Sequence, residues 1–253
     1  MQSLRPRLFD AGGGLRYHGR AWRHRLLWLA YCRQLAAWLA AWQPPERQLV
    51  IIGPSAGHTL GATFLARFDR IVVLEPDPLA RWLLRRRFPA CRFQADRLDC
   101  FASQDGPVWL ARLYPEAAFL FANVIGQYLP GAGWATTLVA AMQSRSWASC
   151  HDLLASPRTP AQRAAQTVSA GMVLESLLEK FWSGGELPVH DHATWGLLPL
   201  QQAAIWSITP SQHHLVGWHA QISAARDAAG GNAQECAAES ASARPKTGIG
   251  GRS

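Results

Sequence analysis

The sequence predicts an α/β domain: a mostly parallel sheet with helices packed on both faces. Three observations carry that expectation. Short apolar runs at Gln48–Ile52 (QLVII), Arg70–Leu74 (RIVVL) and Phe119–Val124 (FLFANV) have the length and β-branching of buried strands. Segments with helical periodicity separate them, so strand and helix alternate along the chain. The strands are apolar throughout rather than on every second residue, as expected where both faces of a sheet are covered.

The chain has 253 residues, enough for one domain with a large core. Apolar residues make up 49% and charged residues 17%, which is a globular balance. Basic residues outnumber acidic ones 25 to 17, and Lys180 and Lys246 are the only lysines. Guanidinium matches phosphate and carboxylate geometry, so RNA or an acidic substrate is a candidate partner. Heavy use of both Ala and Arg is also what a biased codon supply produces. The cysteines (Cys32, Cys91, Cys100, Cys150, Cys236) are odd in number and form no CxxC pair. That argues against a disulfide framework or zinc site and for a reducing cytosol. Leu26–Trp42 is apolar but contains Arg33 and Gln34 and stops at Pro44-Pro45, too short and too polar to span a bilayer. The expectation is a soluble cytoplasmic protein without membrane contact.

Residues 1–45 are expected to form a helical cap. Residues 1–19, with the Gly12-Gly13-Gly14 turn, read as loop, and a helix fits from about Arg20. Leu27, Tyr31, Leu35, Trp38 and Trp42 repeat at spacings of three and four, giving one apolar stripe. The main domain then spans 46–226. The strand Gln48–Ile52 leads into a glycine turn and a helix to about Arg67. The strand Arg70–Leu74 is followed by a helix over Pro78–Phe88, with Arg85, Arg86 and Arg87 on a solvated face. A short strand at Arg92–Ala95, the strand Phe119–Val124, a helix near Trp134–Gln143 and a strand at Trp147–Leu154 follow. A helical insertion is expected near 157–195, with Pro160–Trp182 as helix and Leu174, Leu177, Leu178 and Phe181 on one face. Ala203–Ile208 and His214–Trp218 flank the turn-forming Thr209–Gln212 (TPSQ) and predict a closing antiparallel hairpin. Residues 227–253, rich in Ala, Gly, Ser and Asn, read as a disordered tail.

In an open parallel sheet, ligands sit at the carboxyl ends of the strands where the connections diverge. The turn LVIIGPSAGHTLG, Leu49–Gly61, lies there, and its glycines let a ligand approach the backbone. Glu75, 22 residues after Gly53 at the end of VVLEPDP, is where a carboxylate can accept both hydroxyls of a ribose. A dinucleotide is disfavoured: the next two glycines of GxGxxG are Ser55 and His58, and His58 is bulky where strand and helix pack closely.

Over about Gln48–Asp152 the chain resembles the class I methyltransferases, Rossmann-like proteins that use S-adenosylmethionine. LVIIGPSAG is similar to the first motif and VVLEPDPLARWLLRRRF to the second strand and its helix. FQADRLD is similar to the third-strand loop and FLFANVIGQYL to the fourth strand and its turn. The resemblance implies a Rossmann-like, mostly parallel seven-stranded sheet with an antiparallel last strand. It also implies S-adenosylmethionine as cofactor, held by Gly53, Ser55, Gly57, Glu75, Asp96 and Asn123, with Asp96 at the adenine amino group. Three positions depart from the pattern: Ile51 stands where an acid usually precedes the first glycine, Ser55 replaces the middle glycine, and Ala117 stands near the usual fourth-strand acid unless Glu116 serves. The alternatives are a non-catalytic nucleoside-binding or scaffold relative and an RNA-binding module.

Methyl transfer from a sulfonium needs alignment and exclusion of water, and a base only where the acceptor must lose a proton. His151 and Asp152, at the end of the fifth strand, are the catalytic candidates; the structural alternative is a packed His151 and a capping Asp152. His190, Asp191 and His192 could be half of a metal site, but spacing fixes no third ligand, so a polar loop is favoured and no metal is expected. His213 and His214 read as solvated in a hairpin turn. The run Arg16–Trp28 (RYHGRAWRHRLLW) alternates basic and aromatic residues. It suits RNA through Arg16, Arg20 and Arg23, a lid over a nucleoside, or a helix docking Trp22 and Trp28 on the sheet. No NPPY-type motif occurs (the chain reads NVIG from Asn123), so a small-molecule acceptor is favoured.

Overall fold

A computed structural model describes residues 14–127 and 131–223 of the chain. Two helices, α1 (Gly14–Arg23) and α2 (Arg25–Ala41), precede β1 (Gln48–Ile52), α3 (Ala62–Leu65), β2 (Arg70–Leu74), α4 (Pro78–Arg87) and β3 (Phe93–Asp96). Next come α5 (Gly106–Leu113), β4 (Ala117–Ala122), α6 (Ala132–Met142) and β5 (Trp147–Ser156). The chain closes with β6 (Gln166–Thr167), α7 (Leu174–Glu179), β7 (His190–Asp191), β8 (Gln202–Thr209) and β9 (Gln212–Gln221).

All strands join one sheet in the order β3-β2-β1-β4-β5-β9-β8-β6, with β7 paired to the far end of β5. β3, β2, β1, β4 and β5 are mutually parallel. β9 runs antiparallel to both β5 and β8. The seven main strands therefore make the expected Rossmann-like sheet with an antiparallel last strand, and the two-residue β6 and β7 are additions to it. The strand order reverses between β1 and β4, which sets the switch point beside the Gly53 turn.

Alternate residues of β1 feed different cores, which is why its sequence is apolar without interruption. Leu49 and Ile51 join Trp28, Tyr31, Leu35 and Leu39 from α2 on one face. Val50 and Ile52 join Leu110, Trp134, Leu138 and Met142 from α5 and α6 on the other. A third core sets Leu177, Phe181 and Trp182 against Leu153, Ile205 and Leu215. α2 is fixed to the hairpin by aromatic rings with satisfied polar handles. Tyr31 stacks on Trp206 at 5.1 Å, Trp28 Nε1 donates to the Ile208 carbonyl at 3.0 Å, and Trp42 Nε1 donates to the Gln221 carbonyl at 3.0 Å.

Several expectations need correction. Helix begins at Gly14 rather than about Arg20, with a break at His24. Of the two tryptophans expected to dock, Trp28 does so at 2% exposure, whereas Trp22 stays 74% exposed. The helix after the glycine turn is only four residues long, because Gly53–Leu60 is used up by the turn. The helix α5, opened by Pro107, was hidden from periodicity by its shortness. Pro160–Trp182 is helical only over α7: Gln166–Thr167 satisfies its backbone on the open edge of β8, and Gly171 at φ 77° ends any continuation. Trp42 and Trp218 are core and Trp38 is partly buried. Cys32, Cys91, Cys100 and Cys150 are free. The expected tail over 227–253 lies outside the described residues, as does Cys236. Among the described residues no helix is long and apolar enough to cross a membrane.

Candidate functional site

The turn after β1 alternates through left-handed backbone, with φ of 65° at Gly53, 50° at Ser55 and 66° at Gly57. Gly53 is required twice over: its φ is positive, and a Cβ there would meet Val124 Cβ at 2.7 Å. A Cβ on Gly57 would strike Leu84 and Phe88 of the α4 segment beneath it. Glu75, at the tip of β2, binds this turn directly. Its Oε2 accepts the Ser55 N–H at 2.8 Å and its Oε1 accepts the Asp77 N–H at 3.0 Å. Burial pushes the Glu75 carboxyl up to about 7, against the pull of those two amides. Asp77 caps α4 by accepting the Leu79 N–H at 2.8 Å, and its other oxygen lies 3.4 Å from His18 Nε2.

Helix α1 lies over the turn. Tyr17 and His18 contact the His58 ring at 5.9 and 6.0 Å, and Trp28 meets it edge-on at 5.6 Å. His58 thus sits beneath α1 rather than wedged between strand and helix. Its Nδ1 is 2.9 Å from Arg87 Nη2, and burial, with Arg87 and His18 nearby, lowers its pKa to about 4. Arg16 and Arg23 lie on the exposed side of α1. Asp96 is exposed at the tip of β3; its carboxylate accepts the Leu98 N–H at 3.3 Å and the Tyr114 hydroxyl. Ile51, where an acid was the usual residue, is fully buried in the core.

A cavity of about 820 Å³ is lined by Tyr17, Asn123, Asp152, Trp206, His192 and His214 among others; of the six residues expected to hold the cofactor, Asn123 lines it and Gly53, Ser55, Gly57, Glu75 and Asp96 do not. Asn123, just past β4, has a left-handed φ of 56°. Its Nδ2 donates to Asp152 Oδ2 at 3.4 Å, and its Oδ1 is buried without a hydrogen-bond partner. Trp206 Nε1 is likewise buried without a partner. Successive residues of a strand point to opposite faces, and that separates the two catalytic candidates. Asp152 lines the cavity, while His151 is fully buried on the other face with Nδ1 3.3 Å from Ser149 Oγ. Burial lowers the His151 pKa to about 4, so it is neutral at pH 7. Burial would raise Asp152, but His214, His192 and Asn123 around it outweigh that and hold it below the usual carboxylate range.

The floor of the cavity holds what sequence spacing did not fix. β7 pairs with the end of β5, and the His192 N–H donates to the Leu153 carbonyl at 3.1 Å, which carries His192 to Asp152. His214 arrives from β9, the neighbour of β5 on the other side. It shares a sheet face with Val216 and Trp218, so it belongs to a strand rather than to a solvated turn. His213, also expected in solvent, is 1% exposed and contacts Ser207 Oγ at 2.8 Å. The alternation HHLVGW was the signal that would have found both. Burial pulls His192 below the ordinary imidazole value, leaving it neutral.

No protein-family profile matches the chain, and no curated protein matches it. Among solved structures, it is similar to magnesium protoporphyrin IX methyltransferase from Synechocystis with bound S-adenosylmethionine, at 9% identity and TM-score 0.42, covering 85% of this chain and 88% of that one. It is similar to the N-methyltransferase NodS from Bradyrhizobium japonicum in complex with S-adenosyl-L-homocysteine, at 11% identity and TM-score 0.39, over 79% and 85% of the two chains. It is also similar to DesVI from Streptomyces venezuelae, at 15% identity and TM-score 0.36, over 60% of this chain and 63% of that one, less than two thirds of its length.

Proposed function

We propose that the protein is an S-adenosylmethionine-dependent methyltransferase acting on a small molecule held in the cavity between α1, β5 and the β8–β9 hairpin. One observation carries the reading. A left-handed Gly53–Gly57 turn and the carboxylate of Glu75 meet at the tips of adjacent parallel strands, beside the switch point, and Asn123, just past the next strand, lines a cavity of ligand size.

The residues present fit the cofactor. Each Glu75 oxygen accepts one N–H and retains acceptor capacity for a ribose hydroxyl. Asn123 Oδ1, buried and unpartnered, suits the ammonium of the methionine moiety in place of the acid missing at Ile51. Asp96, on the next strand tip, is the candidate for the adenine amino group. When bound, the cofactor supplies an electrophilic methyl group on a sulfonium. The chain's part is to hold the acceptor in line and exclude water. Tyr17, whose hydroxyl burial keeps protonated, offers a donor at the cavity wall. Asp152 is a weak base and serves to orient the acceptor, with His151 acting through β5 as a positioning residue.

A second reading, a nucleoside-free scaffold on the same fold, is favoured by the closure of the turn: Val124 lies against Gly53, Glu75 is 7% exposed, and His18 approaches Asp77. Thermal unfolding separates the two. The enzyme reading expects S-adenosylmethionine and its demethylated product to raise Tm with increasing concentration while NAD does not. A Tm unmoved by all three supports the scaffold.

A further inference from the structure

Five polar atoms around the cavity have no hydrogen-bond partner: Asn123 Oδ1, Trp206 Nε1, Asp152 Oδ1, His192 Nε2 and His214 Nδ1. The last three converge. One ligand atom from each of Asp152, His192 and His214 lies within 4.8 Å of the other two. We infer that these three side chains form a binding site for a divalent first-row transition metal, with its remaining coordination positions turned to the cavity.

Three features of the geometry support a cation there. Asp152 Oδ1 and His214 Nδ1 are 3.1 Å apart and neither has another hydrogen-bond partner, which is the spacing of two neighbouring ligands of one ion. A metal with bonds of about 2.0–2.1 Å separates its ligands by roughly this distance.

The second feature is the outer support. His192 Nδ1 lies 3.1 Å from the Gly126 carbonyl, which can only accept, so the proton is on Nδ1 and the lone pair is on Nε2. The far nitrogen of His214, Nε2, lies 3.0 Å from Gln212 Nε2, and with that amide turned to present its oxygen, Nε2–H donates to it and Nδ1 keeps its lone pair for the ion. Metal-bound imidazoles are oriented by an acceptor oxygen on the other nitrogen. Asp152 Oδ2 is taken by Asn123 Nδ2, leaving Oδ1 for the ion.

The third is backbone that holds the three limbs together. A bulge at Leu153 shifts the register of β5 against β9 between the Asp152–Val216 and Leu154–Leu215 pairs. Gly126 lets the loop after β4 press on Asp152, since a Cβ there would stand 2.6 Å from the Asp152 carbonyl oxygen. Thr194 Oγ1 donates to that same carbonyl at 2.7 Å. Ala193, next to His192, is held at φ 54°, a conformation alanine rarely adopts.

Two imidazoles and one carboxylate suit zinc, iron(II), cobalt or nickel and are a poor set for calcium or magnesium. With three protein ligands the shell is incomplete, so water or an oxygen or nitrogen donor of a bound small molecule completes it. The inference stands without the cofactor, since none of the three ligands belongs to the Gly53 turn or to Glu75.

The test is a titration of chelator-stripped full-length protein with Co²⁺, followed by its visible absorption, and with Zn²⁺ in competition, in the absence of any nucleoside. The expected result is saturation at one equivalent. His192→Ala and His214→Ala should each weaken binding by about tenfold or more, while His190→Ala, whose ring neighbours His192 at 5.2 Å but lies outside the three-residue cluster, leaves it unchanged. If Asp152→Asn does not fold, His192→Ala carries the test, because that residue is half-buried on a loop. No saturable binding in the wild type, or unaltered binding in the His192→Ala/His214→Ala double variant, overturns the inference.

Discussion

The tips of β1 and β2 and the ends of β5 and β9 lie on one edge of the same sheet, yet their carboxylates are treated differently. At the first pair, Glu75 accepts two backbone N–H groups and Asp77 Oδ1 caps a helix, while Asp77 Oδ2 and ring nitrogens of His18 and His58 stay buried without a hydrogen-bond partner. At the second pair, Asp152, His192, His214, Asn123 and Trp206 all present buried atoms without partners. Buried polar groups are costly unless satisfied, so a cluster of unsatisfied ones marks where something from outside is to be bound. The difference suggests a division of labour. On the glycine side both carboxylates accept backbone amides, and on the β5–β9 side the proposed metal would complete the cluster.

The largest effect is expected at Glu75. Glu75→Ala leaves the Ser55 and Asp77 amides without their acceptor, and denaturant unfolding should register a loss of about 2–4 kcal/mol. A loss below about 0.5 kcal/mol would mean that the turn does not depend on the acid.

The equivalent break on the other side is Gly126→Ala. The added Cβ is driven into the Asp152 carbonyl, so an overpacking cost of about 1–3 kcal/mol is expected. Co²⁺ binding should weaken along with stability, whereas the Glu75 substitution should leave Co²⁺ binding alone.

Titration sharpens the contrast. Glu75 is raised from 4.5 to about 7 on folding. A carboxyl with a raised folded pKa binds more protons in the folded state. Its contribution is therefore full below about 4.5 and is lost as pH rises through about 7. Stability measured across that window should fall with rising pH, and Glu75→Gln should flatten the slope, with Asp77 and Arg81 still in place. An identical slope in the variant would assign the titration elsewhere.

The smallest expected effect concerns the strained positions. Ser55 and Ala193 are non-glycine residues with left-handed φ, one on each side of the site. Ser55→Gly and Ala193→Gly should each raise stability by about 1 kcal/mol through relief of that strain. A loss in either case would show that the side chain makes a contact worth more than the strain.

The same division explains what could be read from the chain. The Gly53 turn, Glu75 and the buried strands are local patterns, each within a few residues, and continuous apolar runs mark a covered sheet without any knowledge of the fold. The site on β5 and β9 is assembled across some sixty residues, and nothing local ties His192 or His214 to Asp152. Adjacent residues misled for a similar reason: His151 and Asp152 look like a pair in sequence, but the pleat sends them to opposite faces. Pro160–Trp182 had helical spacing, yet the open edge of β8 competed for its backbone and won at Gln166–Thr167. The helical start at Gly14 was obscured by the preceding glycines, which read as a turn.

In the proposed function, a nucleoside with a sulfonium or thioether tail is seated at the Gly53–Gly57 turn by Glu75. Isothermal titration calorimetry of the wild type and Glu75→Gln with S-adenosylmethionine and S-adenosylhomocysteine tests it most directly, with NAD alongside. The expected result is one saturable site for the two sulfur nucleosides, none for NAD, and affinity weakened about tenfold or more in the variant, the scale of a charge-assisted hydrogen bond. No heat with either sulfur nucleoside, or equal affinity in both proteins, would contradict it.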